Sequence, residues 1–585
     1  MKQIMSHGIA RRLLLLGSAL IGLSTGGCQP RPVAPPSVPT TTPPLLVTIV
    51  VDQLGAWLAD DRLPALDPSG GFARLRREGT YVRELRYQHA VMDTAPGHAA
   101  LYTGATPRDS GIVSNEVVGT KPGSTISILA DPDSALVGLD AILGKRAGSS
   151  LARLKVETVA EAFQKATPNA QVFSFSLKDR GALFGGGRHP DAVLWLDTES
   201  QQFVSSTAFP TPPAWLNPVG NGAAVASQVA AGWSLTDEQK AWVAAHATTP
   251  DDQAGEGNYG GLGTTFPHTI KSAKVLRATP GGDRLVVALG KAAVTVAAAN
   301  HRPTLLALSL SSHDYVAHVF GPDSWEAWDE IRQVDRMLVD LFALLDRSVG
   351  PNGYAVMLSA DHGSSPLPEL VGTPADPWCK GGPGAADRWQ RPCGARRRLI
   401  ADKVAHTLEE ALSTAMGPGP WLSGIAEPLL FLNDRARALP PAEQQKLIGI
   451  ITETARPLGI GQVIDLRKDL GPCAAPDSSP MALVCAATYP GQPGDLYLLA
   501  QPGVFFDPNY TAGFGASHGS PYLYDRAVPL LVRAPGRVAA GAVIDAPLPF
   551  ATFTRTAASL LGVRPPATAR PGSDLTAGAP ISENR

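Results

Sequence analysis

The chain has 585 residues, 44% of them hydrophobic and 17% charged, with a formal net charge of -2. That balance excludes a disordered chain, a collagen-like repeat and a polybasic nucleic-acid binder, so no nucleic-acid partner is expected. Gly 59 and Pro 53 together make about a fifth of the chain, which predicts many turns and long loops around a large core. Lys2, Arg11 and Arg12 precede an apolar stretch over residues 13–23, long enough for a signal-peptide core and too short to span a bilayer. Residues 1–28 therefore read as an export signal. Leu23-Ser24-Thr25-Gly26-Gly27-Cys28 ends in a cysteine after small residues, as a bacterial lipoprotein site does, although Thr25 stands where Leu is usual. A lipid on Cys28 would attach the chain to a membrane. Arg11-Arg12 before a run of leucines also resembles a twin-arginine signal. Residues 29–44 are rich in Pro and Thr, a polyproline-prone spacer that cannot build a core. The folded body is expected over 45–570, with a tail at 571–585, in the periplasm or anchored at the outer or cell-surface membrane.

Leu45–Val51 is a nearly unbroken β-branched run, as expected of a strand buried on both faces of a parallel sheet, and it ends at Asp52. Residues 93–104 follow with Asp93-Thr94-Ala95-Pro96-Gly97-His98. Pro96 suits a first helical turn and Gly104 a helix end, so Thr94 is predicted at a helix N-terminus, where the dipole and free N–H groups favour alkoxide and phosphate. A plain N-cap is the alternative role for it. Strands are predicted over Gln171–Ser176 and from Ala192 to Leu196. Thr304–Leu310 repeats the apolar pattern and runs into Ser312-His313-Asp314; Tyr354–Ser359 does so again and stops at Asp361-His362-Gly363. Between these two strands, Trp325, Trp328, Ile331, Val334, Leu338, Leu341 and Leu345 recur at helical spacing over residues 323–346. Asp323 as N-cap and Glu326 three residues later complete a capping-box-like start. Strand, helix and strand make a βαβ unit with parallel strands. A last strand is predicted from Val528 to Val532.

The fold class that follows is α/β, a central mostly parallel sheet flanked by helices. Segments of about 120–157, 199–271, 366–398 and 417–485 are richer in Gly, Pro, Ser and polar residues and read as insertions forming a cap and rim. Outside the export signal stand Cys379, Cys393, Cys473 and Cys485; three pairings exist, and their order suggests two local bridges, 379 to 393 and 473 to 485. A four-cysteine zinc site competes with this, but neither pair has C-x-x-C spacing.

Three strands release acidic or imidazole groups just past their C-terminal ends, where open α/β sheets place ligands. Asp314 and His318, four residues apart, can face one metal ion from a helical turn. His518 lies between Gly515 and Ser520 in a loop before another apolar strand, a poor place for a core histidine. Together Asp52, Asp314, His318, Asp361, His362 and His518 supply three carboxylates and three imidazoles, a ligand mix suited to two zinc ions with Thr94 as nucleophile.

With these residues in this order, the chain resembles the alkaline phosphatase superfamily, specifically the phosphate-irrepressible alkaline phosphatases that use a threonine nucleophile. The matching segments are Val51-Asp52-Gln53, Thr94-Ala95-Pro96-Gly97-His98, Ser114-Asn115, Leu177-Lys178-Asp179-Arg180, Asp314-Tyr315-Val316-Ala317-His318, Asp361-His362-Gly363 and Ser517-His518-Gly519. The resemblance implies that Asp314, His318 and His518 hold one zinc, and that Asp52, Asp361, His362 and the Thr94 oxygen hold the other. It implies attack by Thr94, a phosphothreonine intermediate and release of inorganic phosphate, with Asn115, Lys178 and Arg180 donating to the phosphoryl oxygens. Two cations favour small-molecule monoesters, which carry two charges, over diesters, which carry one. The nearest alternative is a phosphodiesterase or nucleotide pyrophosphatase, which shares the metal site and lacks the cation pair. A binding protein on a retired scaffold would lack the nucleophile or ligands, and none is missing. His98 is expected to pack behind the ligands and His313 to point away from Asp314. Nothing resembles the Cys/Ser-x-Pro-x-Arg nucleophile of sulfatases. The protein is expected to be a monomer.

Overall fold

Leu45–Val51 is buried at every position and forms the middle strand of the main sheet. In a computed structural model of the chain, residues 45–119, 124–139, 142–379, 388–394, 396–468, 470–475, 479–507 and 510–576 are described. The expected export signal with Cys28, the spacer at 29–44 and the last nine residues of the tail lie outside them. Leu45–Val51 pairs in parallel with Thr304–Leu310 on one side and Tyr354–Ser359 on the other. Gln171–Ser176 and Ala192–Asp197 extend the parallel centre beyond Thr304–Leu310. All but the last of these five strands are buried throughout, which explains their continuous apolar reading: helices cover both faces, so no solvent face imposes alternation. The two strands of the predicted βαβ unit are parallel, with the first strand of the chain inserted between them.

Beyond the parallel centre the sheet turns antiparallel, except at one edge, where Ala542–Ile544 and Leu548–Pro549 pair in parallel with Thr80–Arg86. Ala527–Arg533 runs against Tyr354–Ser359 and then against Thr80–Arg86. At the other end Gln202–Ser206, Ala130–Gly138 and Ile142–Ser149 add three antiparallel strands, making a mixed 12-stranded sheet among the described residues.

The helix between the two βαβ strands spans Trp325–Val349, and its N-cap is Ser324, whose hydroxyl accepts the Ala327 N–H at 3.1 Å. Asp323, the expected cap, sits one residue too early and lies 3.6 Å from Arg62 instead. A hydroxyl at Ncap reaches the N3 amide, and only Ser324 has the extended backbone at the right place. Both local disulfides, Cys379–Cys393 and Cys473–Cys485, are formed, so the four-cysteine zinc site does not exist.

Residues 397–506 build a second, smaller body. Leu422–Ala426, Leu429–Leu432, Leu496–Ala500 and Ile460–Asp465 form a four-stranded antiparallel sheet in that order. Ala401–Met416 and Pro441–Ala455 pack on it around a core of its own that includes Leu408, Leu412, Trp421, Leu447 and Ile451. Among the described residues no helix is long and apolar enough to cross a membrane.

Candidate active site and metal centre

Asp52, Lys178, Arg180, Asp314, His318, Asp361 and His362 lie past the C-terminal ends of the parallel strands, while Thr94, Asn115 and His518 reach the same place from a helix start and two loops. Asp52 follows Leu45–Val51, and Asp361 and His362 follow Tyr354–Ser359. Asp314 and His318 stand one turn apart on helix Ser312–Phe320, just past Thr304–Leu310. Lys178 is the N-cap of helix Asp179–Gly186, which follows Gln171–Ser176, and Arg180 lies in its first turn. Thr94 is the first residue of helix Thr94–Thr103, with Asp93 as N-cap and Gly104 ending it at φ 70°. The expected N-terminal placement of Thr94 holds, one residue inside the cap.

Three donor atoms form the innermost group. The Nε2 of His362 lies 3.4 Å from Asp52 Oδ1 and 3.5 Å from Asp361 Oδ2. All three atoms are buried, and none has a hydrogen-bond partner. His362 Nδ1 lies 3.1 Å from the Gly363 carbonyl, which can only accept, so in the neutral ring the hydrogen is on Nδ1 and Nε2 presents a lone pair. His98 Nδ1 is also 3.1 Å from Asp361 Oδ2, but its hydrogen is aimed at the Thr94 carbonyl 2.9 Å away. Three lone pairs thus converge with no hydrogen between them, which is repulsive in itself and fits a cation.

The neighbouring group has the same design. His318 Nε2 lies 3.1 Å from Asp314 Oδ1, and His518 Nε2 lies 3.5 Å from that oxygen and 3.3 Å from His318 Nε2. Backbone carbonyls again engage the far nitrogens: Ala516 takes His318 Nδ1 at 2.8 Å, and Met92 takes His518 Nδ1 at 2.7 Å. Fixing a histidine through its other nitrogen is how metal-ligating imidazoles are oriented. The His362 and His518 rings stack at 3.6 Å, and His362, His518 and Asp314 also converge, so His362 stands between the two groups.

Charge balance points the same way. Burial, then the charges of Asp314 and Asp361, raises Asp52 to about 6 in spite of Lys178. Burial opposes the His518 imidazolium, yet the hydrogen bond and charge of Asp314 outweigh it and push His518 up to about 9. Three buried carboxylates face one ammonium, that of Lys178, 2.7 Å from Asp52, 2.5 Å from Asp314 and 3.2 Å from the Thr94 hydroxyl. The nest is therefore short of positive charge.

Thr94, Asn115, Lys178, Arg180, Asp314, His318 and His518 line one cleft of about 280 Å³. Asn115 Oδ1 accepts the Ala95 N–H at 2.8 Å, which turns its NH₂ into the available donor. The outer wall comes from the smaller body through Ala401, Asp402, Ile425, Ala426 and Glu427, and from Asp507 and Tyr510. His313 turns from the cleft to Glu330 at 2.9 Å, as expected, although the segment is helical and not extended. Gly363 lies outside the left-handed region, and a Cβ there would stand 2.1 Å from the Tyr524 carbonyl oxygen, so close approach is what requires a glycine. Sequence reasoning passed over Gln53, which touches two of the carboxylates. Its signals are its place in the matching segment Val51-Asp52-Gln53 and its position directly after a buried strand's terminal acid.

The fold and these strand ends define the alkaline phosphatase class of α/β protein. A family model described as type I phosphodiesterase / nucleotide pyrophosphatase matches residues 46–380, more than half of the chain. The chain belongs to that family, within the alkaline phosphatase superfamily. It is 30% identical over 374 residues to alkaline phosphatase PhoV of Synechococcus elongatus, covering 62% of this chain and 67% of that protein. It is 27% identical over 504 residues to a Myroides odoratus protein named calcium-transporting ATPase, covering 83% and 86%. The crystal structure of wild-type alkaline phosphatase PafA superposes with a TM-score of 0.77 at 23% identity, over 92% of this chain and 99% of that one.

Proposed function

We propose that the protein is a two-zinc phosphomonoesterase that forms a phosphothreonine on Thr94 and frees inorganic phosphate from small-molecule esters outside the cytoplasm. It is a phosphatase of its superfamily; the finer reading draws on the site. The observation that carries it is the convergence of Asp52 Oδ1, Asp361 Oδ2 and His362 Nε2, buried lone pairs with no hydrogen among them, with Lys178 bridging Asp52 to the Thr94 hydroxyl. In this reading Asp52, Asp361, His362 and the Thr94 oxygen hold one ion, and Asp314, His318 and His518 hold the other. Bound there, zinc supplies Lewis-acid stabilisation of charge on the reacting oxygens.

Thr94 Oγ attacks phosphorus as the ester oxygen departs, and water then opens the phosphothreonine from the opposite side, restoring the hydroxyl. Lys178, 3.2 Å from Thr94 Oγ1, stands where it can meet a phosphoryl group joined to that oxygen. The Asn115 NH₂ and the Arg180 guanidinium line the same cleft and complete the donors. An address in residues 1–44, a lipid on Cys28 and a monomeric state belong to the same proposal.

The family description favours a second reading, a phosphodiesterase or nucleotide pyrophosphatase. The pair Lys178 and Arg180 separates the two. A monoester offers two charges and free oxygens to both cations, whereas a diester offers one charge and a second organic group. Lys178→Ala and Arg180→Ala are each expected to lower kcat/KM for phenyl phosphate by about 10²-fold or more, and for the matching diester by under about tenfold. Equal losses on both esters overturn the monoester reading. Zinc content near two per chain, with activity lost on chelation, is the accompanying measurement.

A further inference from the structure

We infer that Gln53 is a positioning residue that ties the two metal-binding groups together by holding a carboxylate of each. This rests on the two-metal reading above. Gln53 is fully buried and follows Asp52 out of the middle strand. Its backbone N–H donates to Asp361 Oδ1 at 3.1 Å, and its side-chain NH₂ donates to Asp314 Oδ1 at 3.1 Å. Asp361 and Asp314 follow the strands on opposite sides of the middle one, so a single residue spans the centre of the site.

The backbone makes the side chain informative. The Leu54 N–H donates to the Val51 carbonyl at 3.2 Å, closing a turn in which Gln53 is the third residue, at φ 69°. Gly or Asn is the residue that suits this position. Any residue there could give its N–H to Asp361, since that bond is made by the backbone. Only a side-chain donor of glutamine length reaches Asp314. The oxygen it holds, Oδ1, is the one that faces His318 and His518, while Oδ2 takes Lys178. Gln53 thus fixes the rotation of the Asp314 carboxylate and leaves Oδ1 one lone pair to turn toward the imidazoles. Its own Oε1 is buried without a partner, so the amide is held through its NH₂ end alone.

Gln53→Gly and Gln53→Asn test the assignment: both suit the left-handed turn and keep the N–H to Asp361, but Gly has no side-chain donor and the Asn NH₂ is one methylene short of Asp314. Zinc affinity would be measured by competition with a chromogenic chelator, bound metal by elemental analysis, and folding by the thermal midpoint of the metal-free protein. The expected result is a metal-free midpoint equal to or above wild type, with one of the two zinc ions held about 10- to 100-fold more weakly. Gln53→Glu, which sets a carboxylate against Asp314, should weaken that ion further. Both ions held with wild-type affinity in Gln53→Gly and Gln53→Asn would overturn the role, as would a lowered metal-free midpoint with unchanged affinity, the mark of a purely structural residue. Failure of the two-metal reading looks different: wild type itself then binds no zinc, or keeps its turnover after exhaustive chelation.

Discussion

Thr94 occupies the first position of its helix, where backbone N–H groups are unpaired by the helix itself and the dipole is positive. Its hydroxyl has Lys178 beside it and its carbonyl is held by His98, whose other nitrogen rests on the Ser309 hydroxyl at 3.0 Å. The side chain is therefore fixed before any substrate arrives, which is what a nucleophile needs. Thr94→Ala removes one oxygen and one methyl group from a site whose other groups are anchored elsewhere. The variant is expected to fold, to keep at least one metal ion, and to lose turnover by about 10³-fold or more. Brief incubation with a ³²P-labelled monoester followed by acid quench should label wild type at Thr94 and leave the variant unlabelled. Label on any other residue of wild type ends the assignment.

Among the elements, legibility in the sequence followed burial. Leu45–Val51, Gln171–Ser176, Thr304–Leu310 and Tyr354–Ser359 are covered on both faces, so their apolar runs mark them to the residue, and the ligands at their ends came with them. Thr80–Arg86 and Ala130–Gly138 were not legible: the first is mostly buried but carries Arg83, Glu84 and Arg86, and the second has exposed Pro132 and Asp133, so both read as loop. The four-stranded sheet of the smaller body was hidden by short strands separated by Gly and Pro. Gln53 escaped for another reason: a polar residue shows no periodicity, and its importance lies in contacts far along the chain. The loop holding His518 joins the helix holding His318 by a contact no sequence pattern announces. Gly515, at φ 77°, lies against the end of that helix, and a Cβ on it would stand 1.8 Å from the His318 carbonyl oxygen. Gly513, at φ 89°, has nothing within 4 Å of such a Cβ. Gly513→Ala should cost only the left-handed strain, about 1 kcal/mol. Gly515→Ala should cost roughly 3 kcal/mol or more, because helix and loop must separate, and should lose bound metal as His318 and His518 part. Thermal unfolding with metal analysis compares them, and equal behaviour of the two variants would show that the helix–loop contact is not what holds the imidazoles.

At the scale of the whole molecule the sheet and the smaller body share the cleft, and buried acids set how the protein's stability responds to pH. Glu256 is 5% exposed, neither of its carboxylate oxygens has a hydrogen-bond partner, and its loop is tied to the metal-site helix by the Gly257 N–H donating to the Val319 carbonyl at 2.8 Å. Burial, then the charges of Glu326 and Asp251, raises its carboxyl to about 11 from an ordinary 4.5. In the folded protein the group therefore stays protonated across neutral pH, whereas in the unfolded chain it ionises above about 4.5. The unfolded state binds fewer protons there, so this group lowers folding stability as pH rises through that window, and its cost is absent below it. Glu256→Gln keeps the shape and cannot ionise in either state. The stability difference between variant and wild type should be near zero at pH 4.5 to 5 and grow in the variant's favour by up to about 1.4 kcal/mol per pH unit toward alkaline conditions. Denaturant midpoints at intervals from pH 5 to pH 9 measure that slope, and a difference that stays flat over the range means Glu256 is ionised in the fold.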